Sequence, residues 1–230
     1  MALPLYLAQT PLEMAGNSPP GRLAWMACHF SPGGQGLSNQ PDSLPCGTML
    51  ILDDSTPMDG HDPELILDQL SQLISCHGCE SLLLDFQRQG IPGQQELAKL
   101  LVKALPCPVG VSELYAGELP CPVFLPPVPP DKLLSEHLAP WQSREVWLEA
   151  ALEGITLTLT EEGCTVESLC QFPEDGLADS NFHCHYTIET ASEFAVFHLR
   201  RSRADLEDLL SEAASMGVSR AVGLWQELGK

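Results

Sequence analysis

Short apolar runs recur along the chain, separated by polar or Gly/Pro-rich stretches. Leu3 to Ala8, Leu23 to Phe30, Thr48 to Asp54 and the run from Ser81 to Gln87 are nearly continuous in apolar residues. Such runs read as buried strands of a parallel sheet, whose two faces are both covered. Further runs at Pro108–Val111, Val123–Leu125, Glu145–Ala151 and Arg220–Trp225 bring the expected parallel strands to eight. Helical periods fall between them. Asp62 caps and Pro63 opens a helix whose apolar stripe is Ile66, Leu70, Leu73 and Ile74, and Gly78 stops it. Leu97, Leu100, Leu101 and Leu105 mark the next helix, and Leu133 to Leu138 a short one. Ser202 with Asp205 forms a capping-box start ahead of Leu206, Leu209, Leu210 and Ala213.

One region breaks this rhythm. Ile155 to Thr160 alternates apolar residues with Thr, Glu161-Glu162-Gly163 signals a turn, and Cys164 to Leu169 alternates again. His185–Glu189 and Glu193–Arg200 form a second pair of that kind, which is antiparallel hairpin chemistry. The pattern predicts an α/β fold: a single (β/α)8 TIM-like barrel over residues 1–230, with a small antiparallel insert at 154–200 before the last helix. The barrel is expected to be partly degenerate, because the crossovers at 31–47 and 113–121 are too irregular or too short for regular helices.

Composition narrows the partners. The 230 residues carry a net charge of -20 with only 11 Lys and Arg. No basic stretch stands out, so nucleic acid and anionic membrane surfaces are disfavoured. No apolar stretch is long enough to span a bilayer, and residues 1–10 lack the basic start of a secretory signal. Nine scattered cysteines suggest reduced thiols and a cytoplasmic location. The oligomeric state is not legible.

The fourth strand carries the most informative chemistry. Side chains alternate along a strand, so Leu83, Asp85 and Gln87 share one face and Leu82, Leu84 and Phe86 the other. A carboxylate and a carboxamide thus project together from a strand end, where (β/α)8 barrels keep their active sites.

At these residues the chain resembles the family 18 glycoside hydrolases, the chitinases and their spore-associated relatives. In that family's Asp-Gly-x-Asp-x-Asp-x-Glu strand, Glu80 falls at the first Asp and Ser81 at the Gly. Leu83 falls at the middle Asp, Asp85 at the last Asp and Gln87 at the Glu. The family also places a small insert after its seventh strand, as the hairpins at 154–200 do here. The terminal Gly223-Leu224-Trp225-Gln226-Glu227-Leu228-Gly229 echoes its closing strand. The resemblance implies that the Glu is the general acid and that the last Asp orients the N-acetyl group of the sugar, which acts as internal nucleophile. It also implies that Trp225 is an aromatic floor for a sugar ring. The family's Met-x-Tyr-Asp signature is absent, and Phe124-Leu125-Pro126-Pro127 occupies its region. A general acid must release a proton near neutral pH, and the amide of Gln87 cannot.

Other residues could supply an acid or a contact. Asp53 and Asp54 end the neighbouring strand, and two close carboxylates raise one another's pKa. The same Asp-Asp-Ser-Thr-Pro is also ordinary turn chemistry. Glu113 and Tyr115 share one side if the next strand stays extended. Glu149 sits in the seventh strand with either an inward or a surface role. Cys76-His77-Gly78-Cys79 has zinc-ligand residue types, but no second Cys-x-x-Cys exists and the motif coincides with a helix stop. No metal and no cofactor is expected. The sequence therefore points to a glycan- or sugar-binding barrel with weakened or lost catalysis. The alternatives are a glycosidase with its acid moved to Asp53, Asp54 or Glu113, and a non-catalytic interaction or scaffold protein.

Overall fold

The computed structural model describes residues 2–16, 21–34, 36–58, 60–168 and 176–229. The expected loop at 17–21 lies outside them except for Gly21, as does Leu169 at the end of one hairpin strand. In chain order the strands are β1 (Leu5–Gln9), β2 (Leu23–Phe30), β3 (Leu37–Ser38), β4 (Met49–Asp53), β5 (Ser81–Asp85), β6 (Val109–Ser112), β7 (Val123–Leu125) and β8 (Val146–Ala150). They continue as β9 (Gly154–Thr160), β10 (Gly163–Ser168), β11 (Leu177–Asp179), β12 (Cys184–Thr190), β13 (Phe194–Arg200) and β14 (Val218–Leu224). Strands β1, β2, β4, β5, β6, β7, β8 and β14 lie parallel in that order, and β1 pairs with both β2 and β14. The sheet is thus a closed eight-stranded barrel, and β5 is its fourth strand.

The helical layer is uneven. The helices are α1 (Pro11–Gly16), α2 (Pro63–His77), α3 (Gln94–Ala104), α4 (Glu113–Ala116), α5 (Leu134–Leu138), α6 (Arg203–Ser215) and α7 (Trp225–Leu228). Only α2, α3 and α6 exceed two turns. Their ends carry the expected signals: the Asp62 side chain accepts from the Glu64 N–H, Gly78 takes a left-handed conformation, and Ser202 and Asp205 cap each other. The crossover between β2 and β4 holds only the short β3, and that between β6 and β7 only α4. Long helices cover only the β4–β5, β5–β6 and β8–β14 connections, and the other crossovers are thin.

Alternation divides the strand residues into two cores. Outward side chains such as Leu50, Leu52, Leu82, Leu84, Leu148 and Ala221 pack under the helices. Inward ones, Tyr6, Ala8, Ala24, Met49, Ile51, Leu83, Phe124, Trp147 and Val222, fill the lumen. Trp147 is fully buried there. Its indole occupies the space in front of Gly110, where an added Cβ would stand 2.3 Å from a ring carbon. Glycine at 110 is what lets so large a ring cross a narrow barrel. Below it, Arg220 lies 4.8 Å over the Trp147 ring and 5.6 Å over Tyr6, and donates to Ser81 Oγ at 2.8 Å. The Tyr6 hydroxyl donates to Glu80, which also pairs with Arg220. Glu80 therefore closes the N-terminal end of the barrel, away from the strand C-termini.

The second sheet is antiparallel, in the order β10-β9-β13-β12-β11. Register places Ile155, Leu157 and Leu159 opposite Leu199, Phe197 and Ala195, and Phe197 opposite Ile188. Val166 opposes Leu157, and Leu177 opposes Tyr186. One face is therefore apolar. The other holds Thr156, Thr158, Thr165, Glu167, Thr187, Glu189 and His198, with Val196 and Phe194 among them. The sheet is rooted at its base. Buried Arg201 donates to the carbonyls of Val128 at 2.6 Å and His183 at 3.1 Å, and buried Cys184 reaches that of Pro130. His183 pairs with Glu212 at 2.7 Å and His185 with Asp205 at 2.9 Å, tying β12 to α6.

Candidate functional site

The inward alternation that fills the lumen ends in carboxylates at the strand C-termini. Above Ile51 comes Asp53, above Leu83 comes Asp85, and above Trp147 comes Glu149. The three share one cavity with Ala8, Met26, Phe124, Val222 and Leu224. The cavity is small, about 60 Å³. That is room for a few waters, so a larger ligand would rest across the mouth rather than sink into it.

Each carboxylate has its own surroundings. Asp85 is raised above the ordinary carboxylate range by burial, and Asp53 and Asp54 push it further. The Gln87 amide opposes this by donating from Nε2 to Asp85 Oδ1. Gln87 itself lies beyond the end of β5, exposed. Asp53 pairs with His29 Nδ1 at 2.8 Å and accepts from the Ser55 N–H at 2.8 Å. Ser55 Oγ approaches that same ring nitrogen at 3.3 Å. A relay would need the serine and the aspartate on different nitrogens, so these three residues do not form a triad. Glu149 is pushed up to about 7, first by burial and then by the charges of Asp85, Glu153 and Glu227.

The structure corrects three expectations. Asp54 faces away from the mouth and is buried. It accepts from the N–H groups of Gln87 at 3.1 Å and Arg88 at 2.9 Å, and from Gln94 Nε2 at 3.1 Å. All its capacity goes to holding the loop between β5 and α3, so it is not a free acid. Substituting Asp54 with Ala is expected to cost about 2–3 kcal/mol by leaving those donors unmet, read as a lowered urea midpoint. Glu113 and Tyr115 do not share a side, because β6 ends at Ser112 and α4 begins at Glu113. The Tyr115 ring is buried and its hydroxyl donates to the Arg88 carbonyl. Glu113 lines a separate groove with Pro126, Pro127, Trp141 and Glu153. Trp225 opens α7 instead of ending β14, and β14 gives the cavity Val222, Gly223 and Leu224. Trp225 is half-buried with its ring beside Gly229, and it does not line the cavity.

The sequence reading missed His29, which pairs with Asp53, and the apolar lining that includes Met26, Phe124 and Leu224. Each follows the inward or lateral positions of its strand. The signal that could have found His29 is its register partner Asp53 on the adjacent strand.

No family model and no curated protein sequence matches the chain. Solved structures do. The Bacillus cereus spore cortex-lytic enzyme SleL superposes with a TM-score of 0.58 at 10% identity, covering 96% of this chain and 70% of that one. A family 18 chitinase from Cycas revoluta superposes at 0.59 and 12% identity, covering 96% and 94%. The chain has the fold of the family 18 glycoside hydrolases. A chitinase from Chromobacterium violaceum gives 0.52 at 8% identity over 96% and 93% of the two chains. In this barrel the cavity between Asp53, Asp85 and Glu149 occupies the strand C-terminal face, where (β/α)8 folds keep their chemistry.

Proposed function

We propose that the chain is a carbohydrate-binding barrel of the family 18 glycoside-hydrolase type in which catalysis is weakened or lost. The observation that carries this reading is Gln87. It stands at the position the resemblance assigns to the general acid, and its amide is turned onto Asp85. An amide can hold a sugar oxygen but cannot protonate a leaving group. Binding does not require the acid. The Cycas chitinase was crystallised with a four-residue N-acetylglucosamine oligomer while carrying a glutamate-to-glutamine substitution. That supports N-acetylglucosamine-type glycans as the ligand class to test here.

One observation favours a second reading, a relocated acid. Of the relocation sites expected from sequence, Asp54 is occupied by the loop and Glu113 lies outside the mouth. Asp53 is paired with His29. Glu149 is the carboxyl in the mouth with a pKa suited to general acid work at neutral pH.

Calorimetry and a hydrolysis assay with N-acetylglucosamine oligomers separate the readings. The expected result is heat of binding without measurable turnover, since loss of a general acid costs about 10²–10⁴-fold in rate. Gln87→Glu restores turnover if the remaining geometry is intact. Robust turnover by the native chain that is abolished by Glu149→Gln would replace the first reading with the second. A flat calorimetric trace across many glycans would overturn both and leave a scaffold role.

A further inference from the structure

We infer that the apolar face of the β9–β13 sheet is the interface between two copies of this chain. Alternation separates a mainly apolar face from a Thr-rich one, on which Val196 and Phe194 are the large apolar exceptions, and such a pattern is the mark of a sheet that buries one side. Here only the base of that side is covered among the described residues, where Cys184 is buried against Pro130. Its strands pair only with one another, and none of its residues belongs to either buried core. Leu159, Val166, Leu177 and Ile188 all stand more than a third exposed, and register puts all four on this one face. Contiguous apolar exposure of this kind marks an association site.

A second copy fits the face better than a charged partner. The only carboxylate on it among the described residues is Asp179, at the β11 edge, although the chain as a whole carries a net charge of -20. The acidic groups lie elsewhere, so two such faces can meet without opposing like charges. The area also suffices. At about 3.4 Å per residue and about 4.8 Å between strands, the five strands present a footprint on the order of 500 Å². Two faces stacked about a two-fold axis remove about 1,000 Å² of footprint from water, and more as accessible surface, which meets the size of a specific interface. Stacked sheets at about 10 Å separation and a crossing of about 30° give the β-sandwich packing such faces adopt within single chains.

The remaining net charge makes one consequence distinctive. Two acidic copies repel at long range, and salt screens that repulsion while leaving apolar contacts intact. The dimer should therefore tighten as salt rises, opposite to an interface held by ion pairs.

Sedimentation velocity on the full chain tests this. The native protein is expected to sediment at twice the 25.0 kDa chain mass, with the dimer fraction rising in salt. Val166→Glu combined with Ile188→Glu should raise the dissociation constant at least about tenfold. Thr165→Glu, on the opposite face, should leave it unchanged. If the double Glu variant loses the circular dichroism of the native fold, Val166→Thr with Ile188→Thr keeps strand-compatible residues and should weaken the dimer in the same direction. A native chain that stays monomeric at its highest soluble concentration overturns the proposal and leaves the face to a different partner. A dimer equally tight in both double variants overturns it as well.

Discussion

Replacing Trp147 with Ala is expected to lower the unfolding free energy by about 3–5 kcal/mol, the usual range for emptying a buried aromatic site. The reason is specific to this barrel. Trp147 is fully buried in the lumen, and its ring spans to Gly110 on a strand two away. No neighbouring side chain can swing into the space, because the lumen residues around it are held in strands. Arg220 would also lose the ring over which it sits. Urea denaturation followed by circular dichroism reads the effect as a drop in midpoint with little change in slope. A loss below about 1 kcal/mol would mean that the lumen collapses onto the gap.

The second large effect depends on pH. The folded Glu149 carboxyl is pushed up to about 7 from an ordinary 4.5, so the native state holds a proton that the unfolded chain has released. Stability then falls as pH rises through that window, and the penalty is complete above about 7. The shift sets a ceiling of about 3 kcal/mol, which partial exposure reduces to about 2 kcal/mol. Glu149→Gln removes the ionisation. Between pH 5 and pH 8 the native protein should lose more stability than the variant, and the variant should be the more stable of the two at pH 8. The residual slope in the variant comes from Asp85 and Glu153, whose carboxyls burial also raises. Equal slopes in urea titrations of the two proteins would show that Glu149 ionises freely.

Much of this architecture is legible in the sequence because it rests on local rules. The barrel strands announce themselves as apolar runs, α2 by its Asp62-Pro63 start and Gly78 stop, and the second sheet by its alternation. Parity alone puts Asp85 over Leu83. What the sequence hides depends on where local order ends. Asp53 and Asp54 are adjacent and chemically identical, yet one faces the mouth and the other is consumed by a loop from β5. Trp225 sits a single residue past the end of β14, in the first turn of α7, and is not among the residues lining the cavity. Glu113 and Tyr115 part company because β6 is only four residues long before a helical turn takes over. The raised carboxyl of Glu149 is set first by its burial and then by the charges of Asp85, Glu153 and Glu227, of which Asp85 and Glu227 come near it only when the barrel closes.

The antiparallel sheet joins the barrel through a pair of touching ends. Gly154 at the start of β9 lies opposite Arg200 at the end of β13, and the Arg201 N–H donates to the Glu153 carbonyl at 2.8 Å. To the barrel, the whole excursion is a loop whose mouth is already closed, so its length adds little conformational cost to folding the rest. Natural variation is therefore free to lengthen, trim or replace the outlying strands while the eight-stranded body and its carboxylates stay as they are. Such a graft lets an outlying surface change on its own schedule, uncoupled from the cavity at the barrel mouth.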